Sequence, residues 1–215
     1  MSKPKFEHSE LSAKRQKLTN HIIEQIEGFE IKSKQDSLLM KFLSYFLFFN
    51  KKFMTNYVTT SYPKVYVPEL PWKPSNHVGA IATLAHEYVH LSDRKRMGWL
   101  FNLLYITPQA LFVFGILSFY SLWFLLFFLF ILPLPSIGRA WLEFRGYRMT
   151  MACYYWLSGY EAPANWLASY FSNSSYYWMF PFKGYMINKF KEAMQDIKSD
   201  KLTPELQEVK KILMG

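Results

Sequence analysis

The sequence predicts a mainly α-helical protein with a small β-hairpin, an α+β chain into which an apolar helical hairpin is inserted. Three stretches carry this prediction. "SNHVGAIATLAHEYVHLSDRKR" reads as a helix through closely spaced histidines, and "NYVTTSYPKVYVPELPW" reads as a strand pair. The 41 residues from Gly98 to Gly138 contain no charged side chain.

A chain of 215 residues is long enough for one domain with a sizeable core and short for two, so a single domain over 1–215 is expected. Lys and Arg total 25 against 16 acidic residues, a net charge of +9. The excess is spread over both termini and the flanks of the apolar run. That distribution suits an anionic membrane surface and offers no recognisable nucleic-acid module, so no nucleic-acid partner is expected. Cys153 is the single cysteine, which excludes an internal disulfide framework. "MSKPKFEHSELSAKRQKL" has no apolar core of the kind a secretory signal needs, and the chain is expected to begin on the cytoplasmic side.

Residues 1–36 form a charged N-terminal segment, within which Ile22, Ile23 and Ile26 at helical spacing predict a short amphipathic helix. "DSLLMKFLSYFLFFN", Asp36 to Asn50, is apolar nearly all round after a cap at Asp36. It is too short to span a bilayer, and reads as a core helix or one lying in the interface. In residues 57–67, β-branched and aromatic residues flank a Tyr-Pro-Lys turn, and Pro68 and Pro71 stop the second run. The histidine helix follows, capped by Ser75 or Asn76, with Val78, Ile81, Leu84 and Ala85 on its apolar face. Beyond the uncharged run, Arg139 to Leu157 predicts a second long helix. Residues 160–184 read as irregular and aromatic; core packing is favoured for the aromatic block, with an interfacial belt or a substrate-binding wall as the alternatives. Asn173-Ser174-Ser175 matches a glycosylation sequon that would be silent in the cytoplasm. From Tyr185 the tail is amphipathic, and Thr203-Pro204 marks the start of a final helix.

His86-Glu87-Tyr88-Val89-His90 matches H-E-x-x-H. Residues four apart share a helical face, so both imidazoles can reach one tetrahedral Zn²⁺ ion. Glu87 lies about 100° round the helix, where its carboxylate can act as general base toward water without ligating the ion. Two histidines do not hold zinc tightly, and a third ligand is required. The candidates are Glu143 on the second long helix, which is favoured, Asp93 and His77. Asp93 suits an outer hydrogen bond better, because one straight helix seldom places three tetrahedral ligands. Tyr147 and Arg148, followed by Tyr88 and Arg145, are candidates to stabilise the oxyanion of peptide hydrolysis. The arginines equally suit lipid phosphates or the protein's own carboxylates.

A helix with H-E-x-x-H and a glutamate ligand on a later helix is the gluzincin pattern. "HEYVH", a long apolar segment and "SIGRAWLEFRGYR" together resemble the integral-membrane zinc peptidases of the CAAX prenyl protease and heat-shock membrane protease type. In those families a transmembrane helix pair separates the histidine motif from an E-x-x-A-D helix. The likeness covers about residues 83–150 and implies a zincin-like fold, one zinc ion and a peptide or protein substrate. Glu143 takes the glutamate's place, Gly146 the small residue's and Tyr147 the aspartate's. Tyr147 is a departure, since the family's aspartate orients a ligand histidine and a phenol brings no charge. The chain is also similar to small H-E-x-x-H proteins of bacteriophages.

If Glu143 meets the histidines, the uncharged run 98–138 must return to the side on which it began. Two legs of about 20 residues through a ~30 Å core just fit, with a turn near Gly115 to Ser121. Arg94, Lys95 and Arg96 before it, and Arg139, Arg145 and Arg148 after it, put the site on the cytoplasmic face. A hairpin buried in protein fits the same run, and Asn102, Thr107, Pro108 and Gln109 suit it. The expected function is therefore zinc-dependent peptide hydrolysis at a membrane. The alternative is a non-catalytic membrane-interacting component, for instance of a phage particle, whose site is vestigial or stabilises the fold. The strand pair could offer an edge to an extended substrate.

Overall fold

A computed structural model of the protein describes residues 6–46, 51–70, 72, 76–132, 134–173 and 178–215. The expected helix end at 47–50, the stop at Pro71, the alternative cap Ser75 and the sequon residues Ser174 and Ser175 lie outside them. The described residues are mainly α-helical, with a small three-stranded mixed sheet.

The described part of the charged N-terminal segment carries the predicted helix, longer than expected. Helix α1 spans His8–Gln25, and the Glu10 carboxylate accepts from the Glu7 N–H before its first turn. Leu11, Leu18 and Ile22 face the core at seven- and four-residue spacing, followed by Ile26 at the cap. Ile23, expected on that face, is instead 54% exposed, one helical step round from Ile22.

Strand β1, Glu30–Ser33, pairs in parallel with β3, Lys64–Val67, and β3 pairs antiparallel with β2, Thr59–Ser61. The order is β1-β3-β2, so the predicted hairpin gains a third strand and β2 is an edge. Between them, helix α2 spans Leu38–Phe46. Its cap is Ser37 rather than Asp36: the Ser37 hydroxyl accepts from the Met40 N–H at 3.3 Å. Met40 is buried, while Leu38, Leu39, Phe42 and Tyr45 are exposed.

Helix α3, His77–Met97, begins where the Asn76 side chain accepts from the Gly79 N–H. It ends at Gly98, whose φ of +60° suits glycine and lets the chain turn directly into α4, Trp99–Ile106. Helix α5, Ile137–Ser158, is capped by Ser136 and packs along α3. The aromatic stretch contains a helix the pattern did not reveal, α6, Ala164–Ser172. Its Leu167, Ala168 and Phe171 are buried, so this part of the stretch is core. Helices α7, Lys183–Lys198, and α8, Pro204–Met214, close the fold, the latter with proline in its first turn as expected.

The apolar run differs most from expectation. Pro108 contributes no N–H and ends α4 after eight residues, and the chain bends by 82°. Two 3-10 helices follow, Gln109–Phe119 and Leu122–Ile131, packed side by side. At about 2.0 Å per residue these legs reach only ~20 Å, short of a ~30 Å hydrocarbon core. Among the described residues no single helix is long and apolar enough to cross a membrane. Three residues per turn lines up Phe124, Phe127 and Phe130, whose rings succeed one another at 5.8 Å. The chain turns at Tyr120–Ser121. Gly115, expected at the turn, sits inside the first leg, where a Cβ would come within 2.9 Å of the Phe128 ring.

Candidate metal centre

Helices α3 and α5 bring His86, His90 and Glu143 together as a buried group with metal-binding spacing. His86 Nε2 and His90 Nε2 lie 3.1 Å apart, and Glu143 Oε2 is 3.7 and 3.9 Å from them. A circle through three atoms at these spacings has a radius of about 2.1 Å, the length of a zinc–nitrogen or zinc–oxygen bond. The donors therefore converge on one point at ligating distance. Neutral imidazole and carboxylate donors also suit the ion chemically.

Two of the three candidate ligands are held from behind. His86 Nδ1 lies 3.1 Å from Thr150 Oγ1, and the Thr150 hydroxyl donates to the Gly146 carbonyl at 3.3 Å. Thr150 is thus the acceptor for Nδ1–H, which leaves the Nε2 lone pair facing His90 and Glu143. Gly146 makes room for the ring: a Cβ there would stand 2.6 Å from His86 Nε2. Glu143 is 4% exposed, and its second oxygen, Oε1, accepts from the Tyr105 hydroxyl at 2.7 Å. Burial disfavours the carboxylate charge, but His86, His90 and Arg139 outweigh it and hold Glu143 well below the usual carboxylate range. Burial also opposes charging of the imidazoles. Glu143 and Glu87 reverse this at His86, whose pKa is raised, whereas His90 is lowered by burial and by His86. His90 Nδ1 is buried without a hydrogen-bond partner among the described residues.

Glu87 projects beside this group, 7% exposed, and its Oε2 accepts from the Thr60 hydroxyl at 2.6 Å. Thr60 belongs to β2, so the edge strand lies against the carboxylate proposed as base.

The other predicted site residues are distributed more widely. Tyr147 is buried with its ring edge-on to His86 at 5.0 Å and stacked on Tyr170. Arg148 faces elsewhere, bonded to Asp196 and to the Lys201 carbonyl. The Tyr88 hydroxyl donates to Glu208 near His21. Asp93 is 1% exposed and both its oxygens accept from Arg145, with Arg96 joining at 2.7 Å, so its hydrogen bonds go to arginines rather than to the histidines. His77 begins α3 beside His8, nine residues or about 13 Å of helix from His86. Three hydroxyls at the site, Thr60, Tyr105 and Thr150, carry no sequence signature. Thr150 alone leaves a trace, seven residues beyond Glu143 and so on the same face of α5.

Comparison with protein-family models, with curated proteins and with solved structures finds no match to this chain. What the fold and site define is a mostly helical protein with a buried two-histidine, one-glutamate group that could hold a metal ion.

Proposed function

We propose that this chain is a zinc-dependent peptidase working at a membrane surface. The observation that carries this reading is the convergence of His86, His90 and Glu143 on one point, with Glu87 beside them. Zinc held there would polarise the scissile carbonyl and lower the pKa of water toward neutrality. Glu87 is the base: Thr60 engages its Oε2, which leaves Oε1 to take a proton from water and pass it to the leaving amine. Thr150 and Tyr105 fix the orientation of two of the three ligands. Tyr147, against His86, is the proposed donor for the developing oxyanion, and Arg148 would have to leave Asp196 and Lys201 to share that part. An extended peptide adding to the edge strand β2 would pass next to Glu87.

The membrane enters through the hairpin. Phe119 is 93% exposed and Trp123 79%, and the second leg has no buried residue at all. So large an apolar surface is costly in water and is relieved in lipid. Legs of ~20 Å suit shallow, re-entrant insertion, with Arg94, Lys95, Arg96 and Arg139 at the cytoplasmic interface. The same exposed hairpin favours the second reading, a non-catalytic membrane or phage-particle component whose metal only stabilises the fold.

Metal analysis and peptide hydrolysis separate the two. The peptidase binds about one zinc per chain, loses it in His86→Ala, and in Glu87→Gln keeps zinc but loses hydrolysis. Zinc without hydrolysis of any peptide, together with unfolding on chelation, would favour the second reading. A wild-type protein that takes up no zinc ends the peptidase reading.

A further inference from the structure

Helix α4 begins the apolar hairpin, yet it also builds the metal site. Its residues 101 and 105 face inward. Phe101 is buried, stacks on Tyr105 at 5.8 Å and meets the His90 ring at 6.2 Å. Arg139 also lies over the Tyr105 ring, 5.2 Å from its centre. The Tyr105 hydroxyl, held in this way, occupies Glu143 Oε1, while Oε2 faces the two imidazoles. Trp99, Leu100, Leu103 and Ile106 point outward from the same eight-residue helix and are exposed. Close approach of α4 to α5 depends on Gly138, where a Cβ would come within 2.7 Å of the Leu104 carbonyl oxygen.

Resting on the metal-site reading above, we propose that Tyr105 is the positioning residue of the centre: its hydroxyl restricts Glu143 to ligation through one oxygen, and through it the seating of the lipid-facing hairpin sets metal affinity. A carboxylate with both oxygens free can chelate an ion and take a coordination position that substrate or water would otherwise use. With Oε1 committed to a phenol donor, Glu143 contributes one donor and the position stays open. The donor lies on the element whose outer face meets lipid. Any ordering of α4 by lipid therefore favours the metal-binding arrangement, and by reciprocity metal binding favours insertion.

The test uses the full chain in detergent micelles, with zinc affinity from chelator competition and the visible spectrum of the Co²⁺-substituted protein. Tyr105→Phe removes only the hydroxyl. It is expected to weaken zinc binding about 10- to 100-fold. It also shifts the cobalt spectrum from a strong four-coordinate to a weaker five-coordinate pattern as Glu143 becomes bidentate. Phe101→Leu, which loosens the packing and keeps the hydroxyl, leaves the cobalt spectrum unchanged. Transfer from micelles into detergent-free vesicles containing anionic phospholipid tightens zinc binding of the wild type at least about fivefold and leaves Tyr105→Phe unmoved. The proposal is overturned if Tyr105→Phe keeps wild-type affinity and spectrum, if Phe101→Leu reproduces its spectrum, or if vesicles affect both proteins alike. A wild type that binds and hydrolyses normally beside an indistinguishable Tyr105→Phe removes this role alone. A wild type that never binds zinc removes the metal reading itself.

Discussion

Gly146→Ala adds one methyl group where α5 lies against the His86 ring of α3. The new Cβ would stand 2.6 Å from His86 Nε2, 2.7 Å from Cε1 and 2.9 Å from Cδ2, where ordinary contact begins at 3.4 Å. The ring must therefore retreat by about 0.8 Å, roughly four times the ±0.2 Å tolerance of a metal–ligand bond. It cannot easily pivot about Nδ1, because Thr150, which holds that atom, lies one turn along the same helix as Gly146. His86 is thereby lost as a ligand, and zinc affinity falls at least about a hundredfold, beyond the loss of an outer partner alone. Overpacking costs about 1–3 kcal/mol. Against this, alanine in a helix interior is favoured over glycine by about 1 kcal/mol, so an uncrowded site would gain stability from the change. Chelator competition for zinc and urea unfolding of the metal-free protein read both effects. A Gly146→Ala protein that binds zinc like the wild type, or whose metal-free form is more stable, would refute the placement of His86 against α5.

Three further outcomes test other parts of the structure. Arg145→Met leaves the buried Asp93 carboxylate with Arg96 alone and is expected to cost about 3 kcal/mol in urea unfolding, whereas Asp93→Leu with Arg145→Met recovers much of that loss. Burial pushes the Lys34 ammonium down to about 8 from 10.5, against the pull of Glu87, while the ammonium donates to the Phe53 carbonyl. Between those pH values the unfolded chain binds more protons than the folded one. Stability therefore rises with pH, by at most about 3.4 kcal/mol, and Lys34→Met should flatten the rise. Cys153 is buried, which raises its thiol pKa and keeps it unreactive. A cysteine replacing Ser121 at the hairpin turn is then the reactive thiol. An impermeant maleimide should label it in micelle-free buffer and fail to do so once lipid vesicles are added; equal labelling in both conditions excludes insertion of the turn.

What the sequence discloses depends on whether the chemistry has a period. The histidines and Glu87 are legible because one helix fixes their phase, and Glu143 because a third donor had to come from a helix able to return. Strand β1 is not legible: "EIKS" is too short to show alternation, and its parallel pairing with β3 is non-local. The 3-10 winding of the legs is equally hidden, since a segment that is apolar on every side has no phase to read. Thr60, Thr150 and Tyr105 reach the site from three separate elements, and a single hydroxyl carries no pattern. Spacing puts Asp93 near the histidines on α3, but the half-buried Arg145 that claims both its oxygens comes from α5, out of reach of any local pattern.

The apolar hairpin is closed at its neck, and on the proposed reading the part beyond the neck serves lipid engagement while α4 below it also builds the site. Ser136 donates through its hydroxyl to the Thr107 carbonyl, and Gln109 Nε2 donates to the Leu134 carbonyl at 3.0 Å, so entry and exit are fastened side by side. The described residues of the run shown to touch the site, Phe101 and Tyr105, lie below that neck in α4. Replacing residues 110–133 with four Gly and Ser residues should therefore preserve zinc binding. Shortening the closed loop from 24 residues to four even lowers its closure entropy, by about 1.5 kcal/mol. The same excision should abolish flotation with lipid vesicles and the vesicle response of zinc affinity. If it instead abolishes zinc binding in a protein that still folds cooperatively, the legs themselves hold the site together. The separation into a lipid-engaging tip and a site-building base would then be wrong.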